Sequence, residues 1–122
     1  MLRSEFRKLV LAVLADLPAP FRHRLENIDI IIKRRPTPAE RRLAGGRYGG
    51  ALFGMYLGLP LPARGDHYNM ALPDKIVIYQ ETHERVCSSR EEMAEQVRRT
   101  VLHEIGHYLG IEEERLRELG MQ

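Results

Sequence analysis

Cysteine is almost absent from this sequence: Cys87 is the only one among 122 residues. One cysteine excludes a framework of intrachain disulfides and fits a reducing compartment, so we expect the protein to be cytoplasmic. The sequence also lacks any apolar run of the roughly 20 residues that a helix needs to cross a bilayer. The single cysteine thus disfavours a disulfide-rich secreted protein, and the lack of a long apolar run disfavours a membrane-spanning protein.

The sequence also has little net charge. Charged residues make up 30% of the chain, but the formal net charge is only +2. Such a surface is well solvated without a strong attraction to nucleic acid or anionic lipid. Phosphate groups could still dock on one basic cluster, which consists of Lys33, Arg34, Arg35, Arg41, Arg42 and Arg47. Because no nucleic-acid-binding motif accompanies this cluster, nucleic acid is the least favoured partner.

Internal repeats, low-complexity tracts and linkers are absent as well. Hydrophobic residues make up 43% of the chain, which is enough to fill one core at this length. We therefore expect residues 1–122 to form a single domain. Near the start, apolar residues recur at helical spacing from Phe6 to Leu17, and Pro18 follows. This pattern predicts an amphipathic helix rather than the apolar region of a signal peptide.

Three short apolar segments predict β-strands. They are the β-branched run in NIDIIIKRR, the segment ALFGMYLG, and KIVIYQE. Proline and glycine residues around them predict loops. Together with a helix near each end of the chain, these strands predict an α+β fold. We expect a small mixed sheet packed against an N-terminal helix and a long C-terminal helix.

The long helix is predicted to end near Gly110. Ser88 and Ser89 are each followed three residues later by glutamate, so either serine could begin it with a reciprocal capping box. At about 100° per residue, the apolar side chains fall in one broad arc that faces the core. The residues of this arc are Ala94, Val97, Val101, Ile105, Tyr108 and Leu109. His103 and His107 fall on the opposite side of the helix, about 40° apart, together with Gln96 and Thr100.

The motif HEIGH, residues 103–107, combines this histidine pair with a glutamate. Two imidazoles four residues apart on a helix can point at one ion, which is how zinc proteases carry their first two ligands. Glu104 lies about 100° around the helix from His103, so it would flank the ion rather than ligate it with the pair. A carboxylate there could accept a proton from a zinc-activated water that attacks a peptide carbonyl. The alternative interpretation is a solvated polar face that binds nothing.

A turn after the motif helix could supply a third metal ligand. On an uninterrupted helix, residue 113 would lie about 9 Å beyond His107 along the axis, too far to share an ion. Gly110 can end the helix in the left-handed conformation and return the chain toward the metal. The carboxylates of Glu112, Glu113 and Glu114 follow that turn, and any one of them could be the ligand. They are equally compatible with the acidic first turn of a short final helix.

The segment HEIGHYLGIEE is similar to the extended metzincin pattern HExxHxxGxxH/D. The five marked places hold His103, Glu104, His107, Gly110 and Glu113. Glutamate thus stands where metzincins have histidine or aspartate. From LPDKIVIYQ through the motif to Gly120, the chain resembles a family of very small bacterial zincin-like proteins. The resemblance implies a minimal zincin-like fold, zinc at His103 and His107, and hydrolysis of peptide or protein substrates. Glu113 is the provisional third ligand.

The remaining histidines and the cysteine receive no catalytic role. His67 lies in a predicted loop and His83 near the end of a predicted strand, and we expect both to be exposed. Cys87 has no local histidine partner, which predicts an inert thiol. A zinc-binding protein without catalysis, acting as an interaction module, is the main alternative to an enzyme. Both would keep the two histidines, and only Glu104 is needed specifically for the chemistry.

Overall fold

The computed structural model describes residues 1–44, 51–58, 74–111 and 113–118, apart from the side chains of Glu113 and Leu116. These ranges contain six helices and three strands. The helices are α1 (Arg3–Ala15), α2 (Ala19–Leu25), α3 (Pro38–Ala44), α4 (Gln80–Val86), α5 (Arg90–Tyr108) and α6 (Glu113–Glu118). The strands are β1 (Asp29–Lys33), β2 (Gly54–Leu57) and β3 (Lys75–Tyr79). None of these helices is long and apolar enough to cross a bilayer.

The three strands form one mixed sheet in the order β1-β3-β2. Strand β1 pairs with β3 in parallel, with Ile31 opposite Val77, whereas β2 pairs with β3 in antiparallel fashion, with Met55 opposite the same valine. Strand β2 is therefore an edge of the sheet within the described part of the chain. The three segments that the sequence predicted as strands are confirmed, and so is the mixed character of the sheet.

The alternating side chains of the strands divide the core between two faces of the sheet. On one face, Ile32, Ile76 and Ile78 pack with apolar residues of α1 and α5 in one buried cluster. On the other face, Met55, Val77 and Tyr79 pack with Ala44 and Leu52. The predicted α+β class is confirmed: a small mixed sheet lies against an N-terminal helix and the long C-terminal helix.

Local hydrogen bonds determine where α5 begins and ends. Ser89 is the N-cap, because its Oγ accepts a hydrogen bond from the Glu92 amide at 3.0 Å. At the other end Gly110 has φ 76°, in the left-handed region. The Ile111 amide donates to the Gly106 carbonyl and the Gly110 amide to the His107 carbonyl. This is the Schellman arrangement, so the predicted helix stop at Gly110 is confirmed.

Helix α4 was not expected from the sequence. It follows β3 directly, and His83, which we predicted to be exposed near a strand end, is 0% exposed on this helix. That prediction was wrong for a physical reason. The seven residues of α4 bury Gln80, Thr82 and His83, all polar, so the segment carries no apolar periodicity that would indicate a buried helical face.

Candidate metal centre

Helix α5 brings His103, Glu104 and His107 together. One ligand atom from each residue lies within 4.8 Å of the others, so the group could hold a metal ion. The two imidazole rings are neighbours across one helical turn, with ring centroids 4.5 Å apart and an interplanar angle of 71°. The chemistry-bearing residues predicted from the motif are thus in one place, with both histidines half-buried and the glutamate buried.

Glu104 is buried because β2 lies across this side of α5. Its side chain is only 1% exposed, and its Oε1 accepts a hydrogen bond from the Tyr56 amide at 2.6 Å. The Tyr79 amide donates to the Phe53 carbonyl, so the backbone groups of Phe53 point toward β3. In an antiparallel pair, the N–H and C=O groups of successive residues point alternately toward the partner strand and away from it. The Tyr56 amide therefore points away from β3, toward the helix. The edge strand holds the carboxylate of the motif through its backbone.

Gly54 permits this close approach of strand and helix. A Cβ atom at Gly54 would lie 2.6 Å from Cγ2 of Thr100 and 2.8 Å from the carbonyl oxygen of Val77. Both distances are shorter than any relaxed carbon contact, and one of the two atoms belongs to the backbone. A residue larger than glycine would thus separate β2 from α5 at the point where Tyr56 meets Glu104.

A second contact of Glu104 orients His107. Nδ1 of His107 lies 3.2 Å from Glu104 Oε1. An ionised carboxylate only accepts hydrogen bonds, so in this contact the Nδ1 atom carries the proton and donates it. The Nε2 atom then presents its lone pair, which is the form in which imidazole binds metals. Histidine ligands are commonly held in this way by a carboxylate on the other ring nitrogen.

The donor set fits zinc. Two imidazoles and a carboxylate are the ligand types that zinc prefers, and three protein ligands with one open position are typical of catalytic sites. The Glu104 oxygen stands within the same group as the two imidazoles, and its flanking role stays a prediction. The third ligand stays a prediction. Helix α6 begins at Glu113 after the turn at Gly110, but that side chain and the whole of residue 112 lie outside the described residues, and Glu114 is exposed.

Comparisons with known proteins bear on the family and the fold. The sequence profile described as zincin-like metallopeptidase matches residues 25–121. The chain belongs to the zincin-like metallopeptidase family. Its fold is also similar to a solved structure, a conserved hypothetical protein from Thermus thermophilus, with a TM-score of 0.56 and 22% sequence identity over 97% of this chain and 99% of that chain. At this identity the likeness shows the fold alone. A comparison with curated proteins found no match.

A small cavity of about 130 Å³ adjoins the candidate metal centre of this zincin-like protein. It shares His103 and Glu104 with the centre, and its other walls come from the start of β2 and the preceding turns of α5. The lining residues are Phe53, Gly54, Gln96, Arg99, Thr100, His103 and Glu104. The sequence placed Gln96 and Thr100 on the histidine face of the helix, and this is confirmed. The burial of Thr100 beside Gly54 of β2 was not foreseen.

His83 is the polar residue near this site that sequence reasoning missed. Its Nδ1 lies 2.8 Å from the Tyr79 carbonyl oxygen and its Nε2 lies 3.1 Å from Thr100 Oγ1. Burial lowers the pKa of His83 to about 4, although the hydrogen bond to Tyr79 acts in the opposite direction. The other loop histidine of the sequence analysis, His67, lies outside the described residues. Tyr108 is buried as predicted, with its ring 5.6 Å from that of Tyr56.

Acidic partners neutralise part of the basic cluster. Lys33 Nζ lies 3.0 Å from Glu40 Oε2. Nε of Arg35 and Nε of Arg34 lie 3.0 and 3.5 Å from the same oxygen of Glu81. These cations are thus already partnered by carboxylates, which makes the surface a weaker binding site for phosphate groups.

Proposed function

We propose that this chain is a zinc-dependent metallopeptidase that hydrolyses peptide bonds in peptide or protein substrates. One observation carries the proposal: the imidazoles of His103 and His107 and the carboxylate of Glu104 converge within 4.8 Å beside a small cavity. Membership of the zincin-like metallopeptidase family supports it at the level of the family. The single cysteine supports a cytoplasmic location for this activity.

The two histidines are assigned to the metal. His107 would bind zinc through Nε2, because its Nδ1 faces Glu104, and His103 would bind through an imidazole nitrogen. Glu113 is our provisional third ligand, since it follows the turn at Gly110. Zinc bound there supplies Lewis acidity, which polarises a carbonyl and lowers the pKa of water toward about 7.

Glu104 is assigned to proton transfer. Its carboxylate takes the proton of the attacking water and can return it to the leaving amine, so that the peptide bond breaks without net change at the glutamate. The Tyr56 amide, which donates to Oε1 at 2.6 Å, fixes the orientation of the carboxylate.

The decisive experiment measures zinc and turnover in matched variants. We expect about one zinc per chain in the purified protein and its loss in the His103→Ala/His107→Ala double variant. Glu104→Gln should keep the metal and lose peptide hydrolysis by about two to four orders of magnitude, because the amide preserves shape but accepts no proton. Normal turnover in Glu104→Gln would contradict the assigned mechanism.

One observation favours a second candidate, a zinc-binding protein without catalysis. Two donors, the Tyr56 amide and His107 Nδ1, converge on the same oxygen of Glu104, as expected of a carboxylate that serves only to orient a ligand. For such a protein, a broad library of peptides would show no cleavage by the zinc-loaded wild type. Zinc affinity would then fall by about 10- to 100-fold in Glu104→Ala.

A further inference from the structure

His83 is a buried titratable group that the proposed chemistry does not use. It lies on α4 with 0% exposure, and its ring packs between two aromatic rings of other segments. The ring centroid lies 5.6 Å from that of Phe6 on α1 and 5.1 Å from that of Phe53, which precedes β2. A polar ring in such a place is costly unless its nitrogens find partners.

Both ring nitrogens have partners. The Tyr79 carbonyl only accepts, so Nδ1 of His83 carries the proton and donates it over 2.8 Å. Nε2 of the neutral ring is then an acceptor, and Thr100 Oγ1 lies 3.1 Å away. The hydroxyl of Thr100 is also 2.8 Å from the Gln96 carbonyl, so its single proton can be donated either to that carbonyl or to Nε2. The imidazole thus connects the end of β3 to the middle of α5.

Thr100 and Phe53 are also walls of the cavity beside the metal centre. Thr100 precedes His103 by three residues, on the same face of α5. Its Cγ2 lies 2.6 Å from where a Cβ of Gly54 would stand, so it is the surface on which β2 rests. His83 therefore contacts Thr100 of the helix by a hydrogen bond and Phe53, the residue before β2, by ring packing.

We propose that His83 is a positioning residue: it holds Thr100 and Phe53 in place and thereby keeps the Tyr56 amide against Glu104. Its influence on catalysis rests on the proposed function, because it acts through the orientation of the general base. Its influence on the position of β2 does not. The two parts can therefore be tested separately.

The first test is hydrogen exchange of the Tyr56 amide, followed by NMR with and without added zinc. His83→Phe keeps an aromatic ring and removes both nitrogens, and Thr100→Val keeps the shape and removes the hydroxyl. In both variants we expect exchange at Tyr56 to accelerate by about tenfold relative to the amides of β1, as when one hydrogen bond is lost. Thr100→Ser, which restores the hydroxyl, should recover most of the protection.

His23→Gln is the matched control, because His23 is exposed on α2, far along the chain from these contacts. It should leave Tyr56 exchange unchanged. Nitrogen-15 spectra of the wild-type ring should show the Nδ1-protonated tautomer of His83. Unchanged Tyr56 exchange in both His83→Phe and Thr100→Val would overturn the proposal, and so would an Nε2-protonated ring.

The second test measures kcat and KM separately for peptide hydrolysis by the wild type and the two variants. If His83 positions the general base, His83→Phe and Thr100→Val should lower kcat by about tenfold, with KM and zinc affinity changed less than about threefold. If folded His83→Phe keeps wild-type kcat, the residue serves the core alone and the positioning role in catalysis is overturned. If the wild type cleaves no peptide, the proposed function fails, whereas the exchange result still decides whether His83 positions β2.

Discussion

At the scale of single residues, Gly54 lies in tight surroundings beside the candidate centre. The atoms nearest to a hypothetical Cβ are Cγ2 of Thr100 and the backbone oxygen of Val77. A backbone oxygen cannot move aside without disturbing the pairing of β2 with β3, since Met55 pairs with Val77. The absence of a side chain is therefore a packing requirement at this position.

We predict that Gly54→Ala lowers the free energy of unfolding by about 1–3 kcal/mol, the usual cost of overpacking a core. Urea denaturation of the metal-free protein would measure it. Adding Thr100→Ser should recover part of the loss, because it removes the methyl group but leaves the Val77 oxygen. Wild-type stability in Gly54→Ala would show that β2 does not rest on α5 at this distance.

His83 predicts a dependence of stability on pH. Burial lowers its pKa to about 4 in the folded protein from an ordinary value of 6.5. Between these values the unfolded chain binds more protons, so this residue makes the protein less stable as the pH falls from about 6.5 to about 4. The loss is of order 3 kcal/mol, and it is complete below the lower value.

This pH dependence can be checked by comparing the free energy of unfolding of the wild type with that of His83→Phe at each pH. Because the variant cannot bind this proton, that difference should narrow by a few kcal/mol between about pH 7 and pH 4. Denaturant unfolding at a series of pH values measures it, with His23→Gln in parallel. A difference that does not vary with pH would mean that the pKa of His83 is the same in the folded and the unfolded chain.

At the scale of secondary-structure elements, the two ends of α5 differ in their relation to the candidate metal centre. Ser89 caps its start, where Glu92 also bonds Ser88, far along the helix from the metal centre. Gly110 ends it with φ 76° and directs the chain into α6, which carries the provisional ligand Glu113. The two ends should therefore affect stability similarly and metal binding differently.

We predict that Gly110→Ala and Ser89→Ala each destabilise the protein by about 1 kcal/mol, one through a left-handed alanine and the other through a lost cap. Only Gly110→Ala should also weaken zinc binding, by about tenfold or more, because α6 would leave its place. Competitive titration of zinc with a chelator measures both affinities. Equal affinities in the two variants would argue against a ligand on α6.

At the scale of the whole molecule, zinc and folding should be linked. A metal that binds the folded chain alone stabilises it by about 2.7 kcal/mol when free zinc is a hundredfold above Kd. For a domain of this size that corresponds to a rise in Tm of order 10 °C. Thermal unfolding with and without zinc tests this. The rise should vanish in His103→Ala/His107→Ala, and an equal rise in that double variant would place the metal elsewhere.

The parts of the protein that follow from local geometry could be predicted from the sequence. The spacing of His103 and His107 on one side of α5 follows from the helical repeat, and the helix stop follows from Gly110. The three strands could be found because β-branched and apolar residues concentrate in them. The family resemblance added the expectation of a metal centre, and the family is confirmed.

Only the tertiary structure decided how the rest of the centre is held. Tyr56 and Glu104 are 48 positions apart, and His83 and Thr100 are 17 apart, so no local periodicity indicates that they meet. On an isolated helix Glu104 and Thr100 are simply polar residues beside the histidines. They become buried because an edge strand with glycine at residue 54 packs on them. The sequence therefore determined which side chains α5 presents, and the packing of β2 and α4 decided their surroundings.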